Sequence, residues 1–182
     1  MRISGGEARG LRLHSPQTSA VRPTSDRVRG ALFQRVGEFV MDARVLDLYA
    51  GTGALGLEAL SRGAAWVDFV EQDVRICQVI QDNLHRAGFD QRAHVYRAKV
   101  EKALTFLAGP YGLVLLDPPY DVPGVDSVAE ALGLSALVED GGLVILEHSH
   151  RALLAEGYGG LRLRERRRYG DTVLSIYRME RA

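Results

Sequence analysis

The segment Asp117-Pro118-Pro119-Tyr120 carries the most specific chemistry in the chain. Two successive prolines fix φ at about −65° and remove two N–H donors, so the corner is stiff and can aim its carbonyl oxygens and the Asp117 carboxylate at one point. An exocyclic amine conjugated to a nucleobase is a poor nucleophile, because its lone pair is delocalised into the ring. Acceptors that bind both of its hydrogens favour a pyramidal nitrogen, with the lone pair aimed at an electrophilic methyl group. The gain is one of positioning and charge stabilisation. Tyr120 can stack on such a base once it is unpaired or flipped out. Guanine N2, adenine N6 and cytosine N4 are all conjugated amines, and the corner alone does not choose among them.

A second segment, Asp47-Leu48-Tyr49-Ala50-Gly51-Thr52-Gly53-Ala54-Leu55-Gly56, can receive a ligand. Gly51 and Gly53 let backbone approach it without a Cβ clash, and the helix start behind them offers unpaired N–H groups. Gly51-x-Gly53-x-x-Gly56 formally matches the dinucleotide fingerprint. Glu71, fifteen residues after Gly56, ends the next apolar run and can accept hydrogen bonds from ribose hydroxyls. Asp47 stands inside an apolar run, where a carboxylate is costly unless hydrogen-bonded. It can order the N–H groups of the loop or receive the amino group of a cationic ligand. A pyrophosphate beside it would be repelled, whereas a sulfonium amino acid would be attracted, which favours S-adenosylmethionine over NAD.

These groups need a scaffold that brings them together. From residue 42 onward short apolar runs alternate with helical periodicity: strands at 45–48, 66–70, 93–97, 113–116 and 143–146, helices at 54–62, 76–87, 100–108 and 125–137. This alternation predicts a parallel sheet with helices on both faces, whose ligands sit beyond the carboxyl ends of the strands. Residues 161–168 and 172–178, separated by Tyr169-Gly170-Asp171, read as a terminal antiparallel hairpin. Residues 25–40 read as an amphipathic helix capped by Thr24 or Ser25, and 1–24 as a small β-hairpin extension of a domain spanning 25–182.

The whole chain of 182 residues has a formal net charge of zero, but the distribution is uneven. Residues 1–36 carry +5, residues 151–182 carry +4 and residues 37–150 carry −9. Lysine occurs only at 99 and 102, so the basic ends are arginine-rich. Arginine favours bidentate phosphate contact, and Arg22, Arg27, Arg29, Arg164, Arg166, Arg167 and Arg168 are the expected RNA contacts. The single cysteine, Cys77, cannot form an internal disulfide, and no apolar run approaches the ~18 residues of a membrane span. A cytoplasmic protein without a membrane partner is expected. His148 and His150 follow the fifth strand without a third ligand nearby, so no metal is expected.

With these segments in place, the chain resembles class I S-adenosylmethionine-dependent methyltransferases, and within them the RsmD family of 16S ribosomal RNA (guanine-N2)-methyltransferases. The resemblance rests on Arg2 to Gly6 with Arg9-Gly10, on Arg22-Pro23-Thr24-Ser25-Asp26-Arg27-Val28-Arg29 and on Leu32-Phe33. It continues through Asp47–Gly53, Gly53–Ala64, Glu71, the Asp-Pro-Pro-Tyr corner and Tyr169-Gly170-Asp171-Thr172. It implies a Rossmann-like α/β fold and methyl transfer to guanine N2 by a monomer acting on 16S rRNA or the assembling small subunit. It also implies a cofactor site of Thr24, Asp47, Tyr49, Ala50, Gly51, Gly53, Glu71, Gln72, Ala98, Lys99 and Asp117, with Asp117, Pro118, Pro119 and Tyr120 as the catalytic corner. The chain departs from the family at Gly30, where members usually have Glu. After the third strand, where many methyltransferases place Asp or Asn, this chain reads Arg97-Ala98-Lys99, which leaves the adenine to backbone, to Lys99 or to no polar contact at all. Beside this stand a methyltransferase acting on adenine N6 or cytosine N4 of DNA or RNA, an NAD-binding oxidoreductase and a non-catalytic RNA-binding factor.

Overall fold

The computed structural model describes residues 1–16 and 25–182. Five parallel-strand positions are formed by β1 (Arg44–Leu48), β2 (Trp66–Glu71), β3 (Ala93–Arg97), β4 (Tyr111–Leu116) and β5 (Val138–Ser149). The chain then adds β6 (Gly157–Tyr158), β7 (Leu161–Tyr169) and β8 (Thr172–Met179). The sheet order is β3-β2-β1-β4-β5-β8-β7-β6, parallel from β3 to β5 and antiparallel beyond. The order reverses between β1 and β4, which opens a crevice at their carboxyl ends.

Alternation along each strand divides the core in two. Val45, Leu113, Leu115, Ile145, Leu174 and Ile176 face the layer of α1 (Asp26–Val36), α2 (Ala54–Ser61) and α3 (Val74–Ala87). Leu46, Leu48, Val114, Leu116, Val144 and Leu146 face α4 (Val100–Ala103) and α5 (Val125–Leu134). Helix ends follow local chemistry: the Ser25 hydroxyl accepts from Val28 N–H (3.1 Å), the Asp73 carboxylate accepts from Arg75 and Ile76 N–H, and Gly88 closes α3 in the left-handed conformation.

Several boundaries differ from the sequence expectation. The helix expected over 25–40 stops at Val36, because Gly37 takes φ 54°; a 3₁₀ turn, Gly37–Val40, follows. α4 is one turn long rather than 100–108, and α5 ends at Leu134 rather than 137. β5 is much longer than 143–146, because its first part, Glu139 to Gly142, is polar and gives no apolar signal. The N-terminal hairpin forms as a narrow pair around an Arg2–Arg12 bridge, with Ile3 N–H donating to Leu11 O (3.0 Å) and Gly10 N–H to Ile3 O (2.8 Å). Ile3 and Leu13 join the α1–α3 core.

α2 is buried on every side, and Glu58 is the reason its outer face is tolerated. The Glu58 carboxylate accepts from Ser4 N–H (2.9 Å), Gly5 N–H (3.4 Å) and the Ser4 hydroxyl, and it pairs with Arg29 (3.5 Å) and Arg62 (3.8 Å). Gly6 must be glycine here: it has φ 80°, and a Cβ would fall 1.9 Å from Ser61 O. Arg29, expected on RNA, is instead fully buried, held by Glu58, Asp26 (2.8 Å) and the Arg2 carbonyl, so no phosphate reaches it. Removing one partner of a buried pair strands the other, at a cost of about 3–5 kcal/mol. Glu58→Ala should therefore destabilise the chain by that amount in urea unfolding. Arg164→Ala, at the exposed Arg164–Glu180 pair, should change stability by under about 1 kcal/mol.

Candidate active site

The glycine loop turns at three residues of positive φ: Tyr49 (57°), Gly51 (55°) and Gly53 (81°). The left-handed region is strained for a tyrosine, and the surroundings over-determine it. Ala50 N–H donates to Val70 O (3.0 Å) and Gly53 N–H to Ala50 O (2.8 Å). Beneath the loop, Asp47 Oδ2 accepts from Gly56 N–H (3.0 Å), tying the end of β1 to the first turn of α2. Gly56 has no room for a side chain, since a Cβ would meet the Phe69 ring at 2.3 Å.

Above the strand ends lies a cleft of about 900 Å³. Tyr49, Ala50, Gly51, Glu71, Gln72, Ala98 and Lys99 line one part, and Asp117, Pro118, Pro119 and Tyr120 line its middle. Thus most of the sequence-predicted cofactor residues and the whole corner are brought together. Asp47 and Gly53 are not in the lining. Asp47 is 1% exposed and orders the loop from below through Gly56 N–H, one of the two roles open to it, and it does not reach the cleft wall as the cofactor contact that the resemblance implied. Gly53 caps α2, its Cα facing Ile80 and Leu57. Arg22 and Thr24 lie outside the described residues.

Residues that sequence reasoning did not assign also line the cleft: Ser25, which caps α1, Val28 of α1, Glu147 near the end of β5, and Tyr169, Asp171 and Thr172 of the β7–β8 turn. Glu147 was within reach of the strand-end rule, had it been extended to the fifth strand. No group of His, Cys, Asp and Glu suited to a metal occurs among the described residues. His148 is buried, with its Nε2 2.7 Å from Ser175 Oγ, and burial lowers its pKa.

The electrostatics of the cofactor part are set by three carboxylates. Burial pushes the Asp47 carboxyl well above its ordinary value of 3.8; the Gly56 N–H opposes this, and the charges of Asp117 and Glu71 add to it. Burial raises Glu71 as well, against the N–H groups of Asp73, Gln72 and Gly51. Asp47 Oδ1 and Tyr49 Oη are buried with no hydrogen-bond partner among the described residues. Burial, then the charge of Glu101, moves the Tyr49 hydroxyl up to about 12. The Glu71 and Asp117 carboxylates in the cleft wall suit a cationic ligand and would repel a pyrophosphate.

The expected RNA contacts divide between the two faces of the β7–β8 ribbon. Arg35 of α1 and Arg167 of β7 share the Glu165 carboxylate (2.9 and 2.7 Å), so these lie on the α1 face. Arg166 turns the other way, donating to Leu154 O (2.7 Å), Ala155 O and Ser175 Oγ. Arg168 donates to Gly170 O (2.7 Å) and Arg164 pairs with Glu180. Arg27 is exposed on α1.

Fold and site together define the class: a Rossmann-like methyltransferase. More narrowly, the chain belongs to the family described as conserved hypothetical protein 95, whose model matches residues 1–178. It is 34% identical to Bacillus subtilis YlbH over 182 residues, 98% of each chain. It is 37% identical to the ribosomal RNA small subunit methyltransferase D of Escherichia coli over 150 residues, 81% of this chain and 74% of that one. Among solved structures, Escherichia coli YhhF superposes with a TM-score of 0.89 at 30% identity, covering 100% of this chain and 99% of that one. Thermus thermophilus TTHA0928 gives 0.84 at 33% identity, covering 100% and 99%.

Asp47→Asn keeps an oxygen acceptor for Gly56 and removes the desolvated charge. An acid whose folded pKa lies above its unfolded value favours folding less as the pH rises above about 4. Asp47→Asn should therefore melt higher than the wild type at pH 7, by about 2–4 °C for each kcal/mol relieved, with the gap closing at acid pH. Thermal melts across this range check it; a wild type that melts higher at pH 7 contradicts it.

Proposed function

We propose that the chain transfers a methyl group from S-adenosylmethionine to the exocyclic N2 of a guanine in 16S ribosomal RNA. The observation that carries this reading is the meeting, in one cleft, of the Asp117-Pro118-Pro119-Tyr120 corner and the carboxylate-lined glycine loop. The name of the Escherichia coli relative, ribosomal RNA small subunit methyltransferase D, supports ribosomal RNA of the small subunit as substrate.

The cofactor would be held by the Gly51 loop, by Glu71 at its ribose and by the backbone around Ala98 and Lys99, with the carboxylates of Glu71 and Asp117 in the cleft wall matching its charge. When bound it supplies a methyl group on a cationic sulfur, open to in-line displacement. The Asp117 carboxylate and the Pro118 carbonyl accept the two hydrogens of the target amine, turning its lone pair out of conjugation. The methyl would pass to that nitrogen with S-adenosylhomocysteine as the leaving group, and Asp117 would take the proton that the methylated amine sheds. Tyr120 covers one face of the unstacked base. The cleft walls exclude water on the remaining sides, which strengthens these contacts.

Purified protein and radiolabelled S-adenosylmethionine, presented with small-subunit particles, naked 16S rRNA and duplex DNA, test the assignment. Label should enter RNA as N2-methylguanosine, and Asp117→Ala should cut the rate at least about 100-fold, as removal of a preorganised acceptor does. Label entering DNA alone would overturn the substrate class.

The arginines of the ribbon supply phosphate contact in this reading. Arg167→Ala with Arg168→Ala should lower the slope of log binding constant against log salt by about 1–2, roughly one per lost phosphate contact. An unchanged slope would remove β7 from the RNA footprint.

A further inference from the structure

The Tyr169-Gly170-Asp171-Thr172 turn takes no part in the cofactor half of the cleft, yet three of its four residues line the cavity. The sheet order explains where they stand. The strand ends beneath the cleft follow β3-β2-β1-β4-β5-β8, with β8 antiparallel, so its first residue lies at the same end as the last residue of β5. Thr172 pairs with Ser149 there. Neighbouring strands are about 4.8 Å apart, which sets Thr172 four intervals, roughly 19 Å, from Glu71 at the end of β2. Asp117, at the end of β4, falls midway. A cofactor seated over β1 to β3, with its reactive end at Asp117, leaves the half above β5 and β8 to the acceptor.

One hydrogen bond closes that half. Tyr120 Oη lies 2.6 Å from Thr172 Oγ1. The two residues differ in how firmly they are held. Thr172 is 9% exposed and paired in the ladder with Ser149 on one side and Tyr169 on the other. Tyr120 is 36% exposed and belongs to a segment without helix or strand. The sheet therefore supplies a fixed anchor, and the loop supplies the ring. An aromatic ring pivots about two side-chain torsions, and an anchor at its far end restrains both.

We propose that the β7–β8 turn is the outer wall of the target-base subsite and that Thr172 is its positioning residue. Its hydroxyl fixes the Tyr120 ring at the angle at which an unstacked purine lies against it. The ligand class is a flipped-out purine nucleotide of RNA, and the proposal rests on the methyl transfer described above.

The test is a double-mutant cycle on the full chain, with small-subunit rRNA and S-adenosylmethionine as substrates. Thr172→Val and Tyr120→Phe should each lower kcat/KM for RNA about 3–10-fold, the worth of one hydrogen bond, and leave KM for S-adenosylmethionine unchanged. The double variant should be no worse than either single one, because both remove the same bond. Thr172→Ser, which restores the hydroxyl, should recover the wild-type value. Wild-type kcat/KM in Thr172→Val, or losses that add in the double variant, would overturn the proposal. Tyr120→Ala separates it from the reading beneath it. If Tyr120→Ala is impaired while Thr172→Val is not, the anchor alone fails. If Tyr120→Ala is as fast as the wild type, the stacking role itself fails.

Discussion

One buried carboxylate holds the parts of this molecule in register. Glu58 sits on the outer face of α2, where a helix of a three-layer fold normally meets water. Here it meets the backbone of Ser4 and Gly5 and the guanidinium groups of Arg29 and Arg62. Through Arg29 it fixes α1, and α1 brings Ser25 and Val28 to the wall of the cleft. Through Ser4 and Gly5 it fixes the N-terminal hairpin, which Asn83 secures further along by accepting from His14 N–H (2.7 Å) and donating to Thr52 O (3.2 Å). A purely apolar contact would have been as stabilising, but it would not have specified which backbone groups lie over the helix.

The site rests on a second carboxylate with a different task. Asp47 is sealed beneath the glycine loop, where burial raises its carboxyl and the charges of Asp117 and Glu71 raise it further. The acidic centre seen in the charge distribution is also local to the cleft, which Glu71, Glu101, Asp117, Asp121 and Glu147 line. Among the described residues, the arginines of the basic ends differ in their surroundings: Arg29 is buried, whereas Arg27 is exposed on α1. The β7–β8 ribbon carries Arg167 on the α1 face and Arg166 on the other, and several of its guanidinium groups are already bonded to protein oxygens.

Much of this was legible in the sequence, for physical reasons that can be named. Parallel strands covered on both faces read as unbroken apolar runs, so Leu113 to Leu116 and Leu143 to Leu146 announced themselves. The loop and the corner were legible because chemistry concentrates unusual residues at strand ends. Arg29 was misread because charge suggests surface, yet its phase carried the answer: positions 29, 32, 33 and 36 share one helix face, and Leu32, Phe33 and Val36 are core. Its partner stands 29 residues later on another helix, a pairing that local pattern does not contain. The place of the β7–β8 turn at the cleft was hidden for a similar reason, since only the strand order carries β8 back beside β5.

The glycine loop has a thermodynamic consequence. Its left-handed residues, its internal hydrogen bonds and the Asp47–Gly56 tie are all formed within the chain itself. The conformational entropy of shaping the loop is therefore spent during folding, and a ligand arriving there meets a preorganised surface. Affinity at that end of the cleft is governed by desolvation and direct contact, with little expected from ordering of the loop. The same arrangement makes the loop brittle, because a change that disturbs its backbone acts on folding and on recognition together.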